Sequence, residues 1–262
     1  MFLYLSLLHN LMKEPVFNAD LGQHFLTDTD VLHKEIQTSN LSTEDKVIEI
    51  GAGRGILTER LAKRSGEVLS FEMDSRLSAF LDNVEEENKN LKIVYGDALK
   101  YSWKGYNKIV SNIPYHLSEA IILKAVESGT DELILIVGEN FKDAVEKNED
   151  KFGIVVNTFF DFKPVMHVKK SSFSPEPRVN SWLIKLKRKN GLKKRERTLQ
   201  SFLRKKGKIK NALMSALTDE GITKNQARDK IKEMGFHDAV LEKPMASITG
   251  KVLSEIRRKL EF

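Results

Sequence analysis

The sequence predicts an α/β protein, with a mostly parallel sheet covered by helices on both faces and followed by a small all-helical region. Two observations carry this. Up to about Asn190, short apolar runs rich in β-branched residues alternate with amphipathic stretches of helical spacing, the pattern of strand–helix–strand units. Beyond it, "TLQSFLRKKGKIKNALMSAL" and "KNQARDKIKEMG" keep helical spacing without a β run. With 262 residues, 40% hydrophobic and 31% charged, the chain has room for one large core and a small annex.

The opening "MFLYLSLLHNLM" is apolar, but it lacks a basic n-region and a small-residue cleavage site and falls well short of the ~20 residues of a membrane span. It predicts a short N-terminal helix rather than a signal or an anchor, and no other stretch is a membrane candidate. Strands follow at "KVIEI" (46–50), "EVLSFE" (67–72), "LKIVY" (91–95), "YNKIV" (106–110), "ELILIV" (132–137) and "WLIKLK" (182–187), with "GIVVNTFF" (153–160) as a further strand candidate. Between them, "ILTERLAKR" and "LSEAIILKAVE" have helical spacing. The absence of cysteine excludes disulfides, thiolate catalysis and Cys-ligated metal sites, and fits a reducing compartment. No two of the six histidines form an H-x-x-x-H pair, so no metal is expected.

The net charge of +6 is unevenly spread. Residues 185–210 hold thirteen Lys or Arg against one acid, Glu196, which leaves the rest of the chain net acidic. Such a run taken alone is as often a solvated face as a binding site. Its functional reading is a phosphate footprint, because clustered cations release counterions from nucleic acid.

"VIEIGAGRGILTERL" reads as strand, glycine turn and helix. Without a Cβ at Gly51 and Gly53, the backbone can pass close to a ligand at a helix N-terminus. A dinucleotide fingerprint needs G-x-G-x-x-G; here Ile56 holds the last position and Gly55 comes one residue early, which disfavours NAD and leaves other nucleoside cofactors open. Glu72 ends the second strand, where an acid can accept from ribose hydroxyls. Asp97 follows the third strand and could take an adenine's exocyclic amine. Either acid alone is more often a plain strand-end carboxylate, but together with the glycine turn they point to a bound adenosine moiety.

"SNIPYH" leaves the fourth strand toward the same crevice, since ligands of open α/β sheets sit at the carboxyl ends of the strands. The side-chain oxygen of Asn112 and the Ile113 carbonyl can accept from a planar amino group and free its lone pair. Pro114 fixes φ and holds those carbonyls in place, and Tyr115 offers a flat face to the ring that bears the amine. An incidental turn would explain a Pro-Tyr pair elsewhere, but in this strand context the residues suit methyl transfer to an exocyclic or amide nitrogen. The donor expected is S-adenosyl-L-methionine, whose sulfonium is a good leaving group. Positioning then supplies most of the rate, worth ~7–11 kcal/mol.

"LGQHFL" (21–26), "EIGAGRG" (49–55), "FEMD" (71–74), "GDAL" (96–99), "NIPY" (112–115) and "FSPEPRVNS" (173–181) stand in the order of the ribosomal RNA adenine N6,N6-dimethyltransferases. The chain resembles that family strongly over about residues 20–190 and more loosely through "FLRKKGKIKNAL". The erythromycin-resistance methyltransferases share most of these motifs, but "FSPEPRVNS" is similar to the dimethyladenosine transferase form. The apolar start has no counterpart in the family and stands as an N-terminal extension (1–19); the resemblance implies a Rossmann-like class I methyltransferase domain (20–189) and a small helical RNA-binding domain (190–262). It implies that His24 and Leu26 fold over S-adenosyl-L-methionine, that Gly51 and Gly53 lie against its methionine part, that Glu72 holds the ribose and that Asp97 reads the adenine. Asn112 would serve cofactor and target amine alike, and Tyr115 with Phe173 would sandwich a flipped adenine. Arg204, Lys205, Lys206, Lys208 and Lys210 would grip RNA.

The implied substrate is a pair of neighbouring adenosines in a hairpin loop near the 3′ end of small-subunit ribosomal RNA. They would be modified in the cytoplasm by a monomer acting on the pre-30S particle. The chain departs from the family pattern at His24, where many relatives carry Asn, and at Asp20, where the edge is usually basic. Two other classes remain open. One is an amino-methyltransferase for DNA adenine, 23S ribosomal RNA or a protein glutamine; the other is a non-catalytic RNA-binding assembly factor. The basic tail and "FSPEPRVNS" argue against DNA and protein substrates, and intact Glu72, Asp97, Asn112 and Tyr115 argue for catalysis.

Overall fold

The computed structural model describes residues 22–260, so the apolar start, its expected helix and Asp20 lie outside the described residues. The elements are β1 (Phe25–Leu26), α1 (Thr29–Ser39), β2 (Lys46–Ile50), α2 (Ile56–Ala62), β3 (Glu67–Glu72), α3 (Ser78–Glu87), β4 (Leu91–Tyr95) and β5 (Lys108–Asn112). Then come α4 (Ser118–Ser128), β6 (Glu132–Gly138), α5 (Glu139–Lys147), α6 (Lys151–Phe159), β7 (Phe160–Val168), β8 (Phe173–Ser174) and β9 (Ser181–Arg188). The chain ends in α7 (Lys194–Arg204), α8 (Ile209–Asp219), α9 (Lys224–Glu233), α10 (Asp238–Leu241) and α11 (Gly250–Lys259). None of the described helices is long and apolar enough to cross a membrane.

The expected α/β fold is found. Seven strands form one sheet in the order β4-β3-β2-β5-β6-β9-β7, and the pairs β4–β3, β3–β2, β2–β5 and β5–β6 are parallel. The chain builds outward from β2 through β3 to β4, then returns to β5 on the other side of β2. This reversal opens a crevice at the carboxyl ends of β2 and β5, where an open α/β sheet takes its ligand. β2 and β6 are buried along almost their whole length, as strands covered on both faces must be.

Contacts divide the molecule into two compact units. The first comprises the described residues up to Ser118, Thr130–Glu139 and Lys163–Lys185, and holds most of the sheet. Its core gathers Val31, Leu32, Val47, Leu61, Val68, Leu81, Val110, Ile134 and Leu183. The second comprises Glu119–Gly129, Asn140–Phe162 and the tail from Leu186, so α5 and α6 and nearly all of α4 group with the helical tail. Within it, α7 packs on α8, α8 on α9, and α11 on α6.

Two strand expectations are corrected. The fourth strand is Lys108–Asn112 rather than 106–110. Tyr106 and Asn107 are occupied in holding the strand's entry: the Tyr106 hydroxyl donates to Glu67 Oε1 at 2.7 Å, and Asn107 Oδ1 accepts from Lys46 N at 2.8 Å. "GIVVNTFF" is mostly the helix α6. Its run of Ile154, Val155 and Val156 is buried without alternation, a pattern that a buried strand and a buried helix share. Asp150 decides between them by capping the helix, accepting from Gly153 N at 2.6 Å. The following strand β7 was not expected because Pro164 interrupts its pattern. It lies at the sheet edge, where a missing N–H is tolerated.

Gly153 lets α6 approach α5, since a Cβ there would lie 2.2 Å from the Ala144 carbonyl oxygen. Exchanging a helical glycine for alanine ordinarily stabilises by about 1 kcal/mol. Here the overlap reverses the sign: Gly153→Ala is expected to destabilise by about 1–3 kcal/mol, seen as a lower urea midpoint at unchanged slope. A raised midpoint would refute this packing.

Candidate active site

The glycine turn after β2 runs through Gly51, Gly53 and Gly55 at φ values of 84°, 59° and 82°. A side chain is strained at such values, so the turn keeps its backbone bare toward the crevice. Gly51 N and Ala52 N donate to Phe71 O at 2.8 and 3.0 Å, which ties the turn to the end of β3. Glu72, the last residue of β3, accepts from Gly53 N at 2.8 Å and from Asp74 N at 2.9 Å. Burial raises its carboxyl above the ordinary range, against the lowering effect of those backbone donors. Each carboxylate oxygen keeps acceptor capacity for a further donor. Gly96 N donates to Glu72 O at 2.7 Å, setting the end of β4 alongside. There Asp97 caps the one-turn helix at 98–100, accepting from Leu99 N at 2.9 Å through one carboxylate oxygen.

Asn112 closes β5 opposite Ile136 of β6. Its Oδ1 is buried and has no hydrogen-bond partner. An acceptor left in that state costs about 1–3 kcal/mol, which a ligand amine would relieve. After Pro114, at φ −58°, the chain makes a single turn that carries Tyr115. The phenol shares a hydrogen bond with the Ser181 hydroxyl, and burial pushes it above its ordinary range. Its ring lies on Gly138, where a Cβ would stand 3.1 Å away. Tyr115 also stacks on His24, with ring centroids 6.5 Å apart.

The "GQHFL" segment reaches the glycine turn, the end of β3 and Tyr115. β1 pairs antiparallel with β8, setting Phe25 opposite Ser174 and Leu26 opposite Phe173. His24 Nδ1 donates to Pro175 O at 2.8 Å, Gln23 Nε2 to Asp74 Oδ2 at 3.0 Å, and Thr27 N to Ser172 O at 2.9 Å. The Phe25 ring lies 3.3 Å from where a Gly53 Cβ would sit. Asp74, held by Arg76 and by Gln23, has its carboxyl pulled down to about 2.

The first unit therefore brings His24, Leu26, Gly51, Gly53, Glu72, Asp97, Asn112 and Tyr115 to one end of the sheet. Phe173 is placed differently: it is buried in the core beneath the segment and makes no ring contact with Tyr115. Several contributors escaped the sequence reading although they stand inside or beside the motifs. Ser181 ends "FSPEPRVNS", Gln23 lies within "LGQHFL", and Gly138 follows the strand run "ELILIV". Glu49, the acid of "EIGAGRG", is fully buried and raised to about 7 by desolvation, and it accepts from Ser70 Oγ at 2.6 Å. Glu35 is buried as well. Its signal was an acid on the apolar stripe of α1, beside Val31 and Leu32.

In the second unit the five basic candidates differ in their ties. Lys205 pairs with Asp219 and Lys208 with Glu242, both at 2.6 Å, while Arg204 donates to the Glu127 carbonyl. Lys206 and Lys210 are exposed and have no ion pair among the described residues.

The family model described as ribosomal RNA adenine dimethylase matches residues 15–246. A Pyrococcus furiosus protein named probable ribosomal RNA small subunit methyltransferase A is 34% identical over 169 residues, 63% of this chain and 62% of that protein. This chain thus spans less than two thirds of that relative's length. A Methanococcus maripaludis protein of the same name is 32% identical over 228 residues, 82% of this chain and 87% of the relative. In three dimensions, a dimethyladenosine transferase from Plasmodium falciparum shares the fold, with a TM-score of 0.61 at 23% identity over 89% of this chain and 96% of that one. The family match runs through the glycine turn, Asn-Ile-Pro-Tyr and most of the helical tail, and the chain belongs to the ribosomal RNA adenine dimethylase family.

Proposed function

We propose that this protein uses S-adenosyl-L-methionine to dimethylate N6 of two neighbouring adenosines in a hairpin loop near the 3′ end of small-subunit ribosomal RNA. It does so as a monomer in the cytoplasm, on the pre-30S particle. The names carried by the curated relatives support the RNA class. The observation that carries the chemistry is the buried, unpartnered oxygen of Asn112 at the end of β5.

The residues present fit the cofactor. Gly51 and Gly53 leave a bare backbone for its amino-acid part, Glu72 keeps acceptor capacity for ribose hydroxyls, and Asp97 keeps one carboxylate oxygen for the adenine amine. His24 and Leu26 would close over it. When bound, the cofactor supplies a methyl group on a sulfonium, a leaving group that departs as a neutral thioether. The chain's part is to hold the amine: Asn112 Oδ1 and the Ile113 carbonyl accept its hydrogens and leave its lone pair free for attack.

Extrusion of the adenine from its stack costs a few kcal/mol. An aromatic face returns about 1–3 kcal/mol per base, so Tyr115 and Phe173 together offset extrusion where one alone falls short. Phe173 must leave its core position to serve as the second face. Affinity comes from the cations of the second unit and base choice from the site, since phosphate contacts position and base contacts specify.

Labelled methyl transfer across small-subunit RNA, 23S RNA, DNA and protein tests the reading. The expected product is N6,N6-dimethyladenosine in small-subunit RNA alone; no transfer, or transfer to another substrate class, overturns it. Tyr115→Ala should lose transfer while calorimetry finds cofactor affinity within a few-fold of the parent.

Ribose hydroxyls donate more strongly to an ionised Glu72 than to a protonated one, and its carboxyl is raised above 4.5 in the free protein. Cofactor affinity should therefore be flat above that raised value and decline as pH falls through it. Glu72→Gln should bind weakly with that decline removed, and an unaltered pH profile in the variant would take Glu72 out of the site.

For RNA, Lys206→Ala with Lys210→Ala should flatten the logarithmic salt slope by about 1 per residue. Lys208→Ala, whose ammonium is already paired with Glu242, should change it less. Equal effects of the two changes would contradict the assignment.

A further inference from the structure

A phenylalanine would offer a base the same flat face as Tyr115, so the hydroxyl of Tyr115 needs a reason of its own. A buried phenol is costly unless it finds a hydrogen-bond partner. The partner here is Ser181, the first residue of β9, 66 positions along the chain and 0% exposed. The two hydroxyls share a hydrogen bond of 2.5 Å.

Tyr115 is held at both of its ends. At the backbone, its carbonyl accepts from Ser118 Oγ at 2.8 Å, and Leu117 N donates to Pro114 O at 2.9 Å, which closes the turn. Against the ring lies Gly138 at the end of β6, where a Cβ would stand 3.1 to 3.5 Å from three ring atoms. A bare backbone lets the ring come close but gives it no wall, so the ring stays free to swing about its side-chain torsions. That swing is stopped at the far end, by Ser181. Asn180, next to it, accepts from Glu139 N at 3.1 Å through its carbonyl and from Lys170 N at 3.1 Å through its Oδ1. The glycine floor from β6 and the serine hook from β9 are therefore tied to each other beside the ring.

We propose that Ser181 is a positioning residue for methyl transfer, holding the Tyr115 phenol so that the ring keeps the plane on which the target adenine stacks. This rests on the functional reading above. It gives the hydroxyl a mechanical part: engaged with Ser181, the phenol is an anchor rather than an acid or base of the reaction. Misplacement by about 1 Å can cost ~100-fold in rate, so a ring loosened by one lost hydrogen bond is felt in kcat.

A double-mutant cycle tests it. Ser181→Ala and Tyr115→Phe break the same bond, and each should lower kcat about tenfold, the worth of one hydrogen bond, with cofactor affinity by calorimetry unchanged. The double variant should be no slower than either single one, because nothing further is lost. Parental kcat in Ser181→Ala or multiplied losses in the double variant would overturn the proposal. So would a Tyr115→Phe protein much slower than Ser181→Ala, since the phenol would then act on the substrate directly. Independently of turnover, the 13C resonance of Tyr115 Cζ, assigned by its loss in Tyr115→Phe, should move in Ser181→Ala; an unmoved resonance would refute the hold. If the parent chain transfers no methyl group to RNA, the functional reading fails, while the resonance still decides whether Ser181 holds Tyr115.

Discussion

The pairing of β1 with β8 is the constraint on which the site depends. Two strands of two residues each could not persist alone. They persist because both sides are anchored in the finished sheet unit. Asp28 caps α1 and accepts from Ser172 Oγ at 2.8 Å, His24 reaches Pro175, and Gln23 reaches Asp74. These contacts join residues some 50 to 150 positions apart, yet little further closure entropy is lost, since the strands have already brought the ends together. The result is a strap across the strand ends. Phe25 covers the glycine turn, His24 backs Tyr115, and Leu26 lies over Phe173. A cofactor cleft on an open sheet would otherwise be a row of loops; here one segment ties the glycine turn, Asp74, Tyr115 and the 172–175 stretch together.

Much of this was legible in the sequence, for a physical reason. Residues at strand ends are placed by strand length and order, so once β2 to β5 are recognised, Gly51, Glu72, Asp97 and Asn112 must fall at one edge of the sheet. What periodicity could not reveal was anything decided by tertiary packing. Residues 153–156 are apolar without alternation, and only the Asp150 cap and the close approach of Gly153 to α5 make them helical. Pro164 hid β7 because its tolerance depends on lying at an edge, which is a property of the sheet order. Phe173 was identified from its motif as a site residue, but whether its ring faces the core or the crevice depends on β8 pairing with β1. Glu35 was invisible for a related reason: an acid on an amphipathic helix reads as a surface residue until its burial is seen.

The second unit divides its cations into two kinds. Lys205 and Lys208 are already paired with Asp219 and Glu242 at the surface, where solvent screens such pairs. For these, a phosphate would replace a carboxylate and little counterion would be released. The exposed Lys206 and Lys210, which form no close ion pair among the described residues although Lys210 lies in the field of Glu242, are where polyanion binding would draw its entropy. Formal charge in the basic run thus overstates its capacity for phosphate, and the pairing pattern decides which residues matter.

Four acids of the first unit span a wide range of protonation although all share one chemistry. Asp74, at the rim, is pulled down to about 2 by Arg76 and Gln23. Glu72, one step inward, is raised by burial against the pull of two backbone donors. Glu49, fully enclosed, stands at about 7, and burial holds Glu35 well above the ordinary carboxylate range. Partners and enclosure decide between them: Arg76 and Gln23 hold Asp74 down, while desolvation, which penalises the charged form, lifts the three enclosed glutamates. The effect on stability has opposite signs at the two ends. Asp74 favours the fold above its unfolded value of 3.8 and loses that contribution as pH falls toward 2. Glu49 favours it below 4.5, and its contribution is lost as pH rises through about 7, where ionising the enclosed group opposes folding by roughly 3 kcal/mol. A protein selected for stability alone would replace the inner acids with aliphatic residues. Here each enclosed acid is costly to ionise, and that cost falls on β2 and α1 within the first unit.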